Sequence, residues 1–122
     1  MTWPKTKDFL DVQMTIDDNI EDERAVITVS GEVDVYTAPT LREHILNALN
    51  DGVSTIVVDL SSVSFMDSTG LGVLVGGLKR LRQTGGSLHV VCDSEPVLKI
   101  FRVTGLMDVF NVVPTLDEVP AS

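Results

Sequence analysis

Apolar positions recur along the chain in two rhythms. Ala25-Val-Ile-Thr-Val29 is β-branched and reads as a strand. Thr55-Ile-Val-Val-Asp-Leu60 is a nearly continuous apolar run, the pattern of a strand buried on both faces. Ser87-Leu-His-Val-Val-Cys92 reads as another strand, and one more is predicted within Leu10–Ile16. Between these runs the period lengthens. Ala38, Leu41, Ile45, Ala48 and Leu49 share one helical face. So do Leu71, Leu74, Val75, Leu78 and Leu81, and then Val97, Ile100, Phe101 and Thr104.

The residues between these segments act as punctuation. The acidic stretch Asp17–Glu23 reads as a turn, and Gly31 as the end of the second strand. Thr37 suits the N-cap of the first helix, with Pro39 in a first turn where a missing N–H is harmless. Asp51-Gly52 stops that helix, and Ser61–Asp67 reads as a loop. The second helix is predicted from about Thr69 to Gln83, capped by Ser68 or Asp67 and ended by Gly85-Gly86. Asp93-Ser-Glu-Pro opens the third helix, with Gly105 as its C′ residue and Leu106 as the apolar contact that follows such a cap. Val112-Val113 suits a short last strand and Thr115–Val119 a final helical turn. Strands alternating with helices imply crossover connections and an α/β domain with a mostly parallel sheet. The first two strands, joined by a short turn, form an antiparallel pair.

Composition narrows the function classes. The 122 residues suit one domain, with residues 1–8 a polar, flexible extension and 9–122 the folded unit. Eighteen acidic against nine basic residues give a net charge of −9. Such a surface repels nucleic acid and anionic membrane and attracts a partner with a basic face. A single cysteine, Cys92, suits a reducing compartment, and with only two histidines it argues against a closed zinc site. The first residues contain no apolar signal-peptide core. No helical segment approaches the ~20 apolar residues of a membrane span. A soluble cytoplasmic protein is the expectation.

The segment Phe65-Met-Asp-Ser-Thr-Gly-Leu-Gly-Val-Leu-Val-Gly-Gly-Leu78 carries the most information. A capping Ser68 would bring its hydroxyl near unbonded backbone N–H groups. Opposite the apolar face of the helix lie Thr69, Gly72, Val73, Gly76, Gly77 and Arg80. Each helical glycine costs about 1 kcal/mol relative to alanine, so something offsets the three here. Either another element of the same chain packs on that face, or a partner does. Gly70-x-Gly72-x-x-x-Gly76, with Asp93 further on, also looks like a variant dinucleotide loop. The glycines, however, lie beyond Ser68, inside the helix, where a phosphate turn does not form. His44 and His89 belong to other elements, so no nucleophilic triad is indicated; no enzyme activity, cofactor or metal is expected. Cys92 reads as a buried thiol. Asp34, in the loop of Gly31-Glu-Val-Asp-Val35, is a turn aspartate or a contact residue.

Three segments together resemble the anti-sigma factor antagonists of the STAS domain family. They are Phe65-Met-Asp-Ser-Thr-Gly-Leu-Gly-Val73, Gly31-Glu-Val-Asp34 and Leu98-Lys-Ile-Phe-Arg-Val-Thr-Gly-Leu106. The resemblance runs from about Asp11 to Val119. It implies a small mixed sheet flanked on one face by helices. It also implies that Ser68 is a phosphoacceptor, with Asp34, Asp67, Thr69 and Gly70 at motif positions around it. The implied partners are an anti-sigma factor that is also a GHKL-type serine kinase, and a PPM-type serine phosphatase. The expected partner-binding surface comprises Asp34, Asp67, Ser68, Thr69, Gly70, Gly72, Val73 and Gly76, and its glycine face also suits a weak homodimer. A STAS scaffold in another signalling complex and a small nucleotide-binding protein are the competing readings.

Overall fold

The computed structural model of the chain describes residues 13–120. The predicted extension at residues 1–8, and the start of the strand predicted within Leu10–Ile16, lie outside them. The described elements are β1 (Met14–Glu21), β2 (Arg24–Val33), α1 (Ala38–Asn50), β3 (Thr55–Met66), α2 (Ser68–Gln83), β4 (Ser87–Val91) and α3 (Glu95–Val103). A 3-10 turn at Leu116–Glu118 follows, where the sequence predicts a final helical turn. The strands lie in the order β1-β2-β3-β4. β1 is antiparallel to β2, and β2, β3 and β4 are mutually parallel.

Strand alternation sorts the side chains onto two faces. Ala25, Ile27 and Val29 of β2 join Ile56 and Val58 of β3 and Leu88 and Val90 of β4 in one buried cluster. Leu41 and Ile45 of α1, Leu74 and Leu78 of α2, and Val97 and Phe101 of α3 close that cluster. All three helices therefore cover one face. The other face carries a small cluster of Val57, Val91 and Val119, with Val26 and Val113 against it. Val113 makes a single parallel bridge to Val91, so the expected last strand is one bridge long. β3 is buried on both faces from Thr55 to Val58, as its apolar run predicts.

Three boundaries differ from the sequence reading. The acidic stretch is no turn as far as Glu21: β1 runs through it, and only Asp22 and Glu23 turn, at φ 52° and 66°. An edge strand tolerates acidic side chains because half of them meet water, and like charges there discourage edge-to-edge pairing. Asp18 on that strand accepts a hydrogen bond at 2.6 Å from Nδ1 of His44, tying β1 to α1. Gly31 does not end β2. It sits at φ +102° beside a register shift, where a Cβ would collide with the Gln13 carbonyl oxygen. Ser61–Met66 is not a loop, because β3 continues with Ser62 opposite Ser30 and Met66 opposite Val33. Its serines face water while Val63 and Met66 are buried, and register shifts near Ser30 and Gly31 interrupt the alternation that a sequence pattern needs. The start of α1 is as expected, with Thr37 at the N-cap position and Pro39 in the first turn, although the Thr37 side chain makes no cap bond to the helix.

The third helix ends as its sequence predicts. Gly105 stands at φ +74°, its N–H bonds the Arg102 carbonyl, and the Leu106 N–H bonds the Phe101 carbonyl at 2.8 Å. Phe101 in turn meets Phe110 edge to face, with ring centroids 5.7 Å apart.

Candidate functional site

The paired ends of β2 and β3 build the site. Val33 lies opposite Met66, and the Asp67 N–H reaches the Val33 carbonyl at 3.2 Å. The residues after each strand, Asp34 and Asp67, therefore leave the sheet side by side. Each carboxylate then organises the segment that follows it.

Asp67 is the N-cap of α2. One of its oxygens accepts from the Thr69 N–H at 2.9 Å and the Gly70 N–H at 3.2 Å. Its carbonyl accepts from Leu71. Ser68 is thus the first helical residue and is exposed, with the capping duty carried by its neighbour. Asp34 works similarly one loop away. Its Oδ1 accepts from the N–H groups of Tyr36 and Thr37 at 2.9 and 3.1 Å. Thr37 Oγ1 accepts from the Asp34 N–H and donates to the Glu32 carbonyl at 2.8 Å. The half-buried Asp34 holds this loop in shape, and the loop presents Val35 and Tyr36, the tyrosine 84% exposed. Phe65 adds a third exposed apolar side chain three residues before Ser68.

The glycines of α2 fall into two kinds. Gly70 is buried, and a Cβ there would lie 2.6 Å from Val33 Cγ1 and 2.9 Å from Met66 Cγ. It lets the first turn of α2 settle onto the strand ends and offers no side of its own to a partner. Gly77, placed by the helical wheel on the outer face, is likewise buried, and a Cβ there would lie 3.0 Å from Ile45 Cγ2. The wheel gives a residue's angle but not where α1 lies. Gly72 and Gly76 are exposed, and nothing stands within 4 Å of a Cβ built on either. Thr69 is exposed beside them, and Val73 is half-buried against the core edge. A groove of about 260 Å³ between α1 and α2 joins Thr69, Gly72, Val73 and Gly76 to Arg42 and Arg80. A hollow of about 400 Å³ beside the Asp22-Glu23 turn lies at the opposite ends of the strands and brings none of these residues together.

This geometry is ill-suited to a dinucleotide. The N–H groups of Thr69 and Gly70 that would meet a phosphate are already bonded to Asp67, and Gly70 is covered by Val33 and Met66. The other reactive side chains lie elsewhere. His89 is buried on β4, with Nε2 3.3 Å from Ser87 Oγ and Nδ1 without a partner. Burial, and then the charge of Arg24, lower its pKa from the ordinary value. Burial raises that of Cys92, keeping it a thiol. Among the described residues, no group of His, Cys, Asp or Glu is arranged to hold a metal ion, and no helix is long and apolar enough to cross a membrane.

A family model for the STAS domain matches residues 11–119. The chain belongs to the STAS domain family. Its fold, a mixed four-stranded sheet with helices on one face, is shared with STAS proteins of known structure. The anti-sigma-B factor antagonist of Staphylococcus aureus (strain NCTC 8325 / PS 47) is 40% identical over 101 residues, covering 83% of this chain and 94% of that one. An anti-sigma factor antagonist from Mycobacterium paratuberculosis superposes with a TM-score of 0.79 at 34% identity, over 86% of this chain and 89% of that one. The Bacillus cell fate determinant SpoIIAA, solved in its phosphorylated form, gives 0.68 at 27% identity, over 85% and 95% of the two chains. In this STAS domain the exposed trio Val35, Tyr36 and Phe65 is what the residue-by-residue reading overlooked. The signal was present: two apolar residues inside a polar turn, Asp34-Val-Tyr-Thr37, have no core to reach.

Proposed function

We propose that this chain is an anti-sigma factor antagonist switched by phosphorylation of Ser68. Unphosphorylated, it binds an anti-sigma factor that is also a GHKL-type serine kinase, and so frees the sigma factor. The kinase phosphorylates Ser68 and is released, and a PPM-type serine phosphatase restores the binding form. The observation that carries this reading is the division of labour at the start of α2. Asp67 caps the helix, so the exposed Ser68 is left without a structural task. The relatives named as anti-sigma factor antagonists support the same reading.

The chemistry of the switch follows from that position. A phosphate adds about −1.5 to −2 charges and three acceptor oxygens. A helix N-terminus favours an anion by roughly 0.3–1 kcal/mol, but here the Asp67 carboxylate already uses two of the N–H groups. The fold therefore tolerates the phosphate without gaining much from it. A bound partner does not tolerate it. The new charge joins Asp34 and Asp67 beside the apolar trio Val35, Tyr36 and Phe65, where a partner must make close, dry contact. Burying an uncompensated charge is strongly unfavourable, and about 1.4 kcal/mol is already tenfold in affinity. Gly72 and Gly76 extend the surface as a flat strip along α2, and their helix-weakening cost has no internal return.

The reading is tested by intact mass spectrometry after incubation with ATP and each GHKL-type anti-sigma factor kinase of the same genome. Wild type gains one phosphate and Ser68→Ala gains none. A folded wild type left unmodified by every kinase would overturn the switch and favour a STAS scaffold that binds without being modified.

A further inference from the structure

The groove between α1 and α2 carries a charge pattern opposite to that around Ser68. Its floor is apolar, from buried Ile45 and half-buried Leu46 and Val73. Its α2 wall is low, because Gly72 and Gly76 place no side chain there. From Thr69 to Arg80 that wall runs about 16 Å at ~1.5 Å per residue, some three helical turns. Arg42 and Arg80 border the groove and are both exposed. Among the described residues the ion pairs are His44–Asp18 and Arg102–Glu95, so neither groove arginine is neutralised by a neighbour. Arg24, Lys79, Arg82 and Lys99 likewise form no ion pair among the described residues, but Arg42 and Arg80 are the cations that border this apolar groove, where a guanidinium can receive a carboxylate.

We propose that this groove takes an apolar helix face of the partner kinase, bordered by Asp or Glu side chains that pair with Arg42 and Arg80. The inference rests on the function proposed above and adds the chemistry of the partner's docking element. A low, straight wall and an apolar floor suit a helix backbone at close range. Guanidinium groups suit carboxylates, which they bind in a fork. Nucleic acid also offers acid, but the surrounding net negative charge repels it. The guanidinium pair fixes orientation: Arg42 and Arg80 face an acidic part of the partner, while Asp34 and Asp67, bonded to backbone N–H groups of their own chain, need no counter-charge from it. Complementary patches of this kind set register and speed encounter. A partner docked in reverse would set its acidic side chains against Asp34 and Asp67.

The test is calorimetric titration of the kinase that modifies Ser68 into wild type, Arg42→Glu and Arg80→Glu, at low and high salt. Both arginines are exposed, so both variants are expected to melt with the wild type. Each is expected to bind at least about tenfold more weakly at low salt, with the gap narrowing as salt screens the pairs. Reversal of one acidic residue on the kinase to Arg is expected to restore binding to Arg80→Glu. Equal binding by all three proteins would overturn the proposal while leaving the phosphorylation switch intact. So would sedimentation showing that Arg80→Glu breaks a homodimer but not the kinase complex. A wild type that binds no kinase would instead sink the function on which the proposal depends.

Discussion

Four glycines of α2 look alike in the sequence and are distinct in the fold. Gly70 and Gly77 are glycines because a Cβ would enter Val33 or crowd Ile45. Gly72 and Gly76 have open space and no such reason. Gly70→Ala is therefore expected to lower the unfolding free energy by about 1–3 kcal/mol, the usual cost of overpacking. Gly72→Ala is expected to raise it by up to about 1 kcal/mol, as helix propensity dictates, and to weaken kinase binding. Urea titration and calorimetry on the two variants check both. A destabilised Gly72→Ala, or one that binds unchanged, would remove the case for a partner on this face. Val73 is a poorer probe, because its side chain packs against the core and its loss mixes stability with binding. The helical wheel could show the stripe but not separate these glycines, since separation depends on where α1 and the strand ends lie. Ser68, Asp67 and Asp34 were legible in the sequence; that the aspartates bond the backbone, leaving the serine exposed, was not.

At the scale of elements, helix faces and strand centres were readable and strand ends were not. The reason is specific to each end. β1 is acidic because it is an edge, and β3 continues through serines that register shifts turn toward water. Both stretches have the composition of turns. The continuation of β3 matters, because pairing Met66 with Val33 is what sets Asp67 as the cap. Asp67→Ala is expected to cost about 1 kcal/mol, the worth of an N-cap. Ser68→Ala is expected to leave stability almost unchanged. Thermal melts of the pair check this, and a Ser68→Ala protein destabilised as much as Asp67→Ala would mean that the serine is structural after all.

The whole molecule has a helix-covered face and a face closed by the segment around Val113 and Val119. His89, neutral and buried, makes the fold sensitive to acid. Its pKa is lowered from 6.5, mainly by burial and further by Arg24. As pH falls below about 6.5 the unfolded chain takes up a proton on this ring before the folded chain does. Stability from this group is thus whole above that pH and declines below it. Urea midpoints from about pH 7.5 to 5.5 should fall more for wild type than for His89→Gln. Parallel slopes would show that the ring is not the sensor. His89 pairs with Val57, well before the end of β3 that leads to Ser68, so its acid response is separable from the switch proposed at Ser68. The central claim is that one phosphate on Ser68 abolishes a protein contact without unfolding the domain. The most direct measurement is calorimetric titration of the kinase into unmodified and Ser68-phosphorylated protein, with melts alongside. Matched melting temperatures with at least about tenfold weaker binding of the phosphorylated form are the expected result. Equal affinity of two folded forms would contradict it.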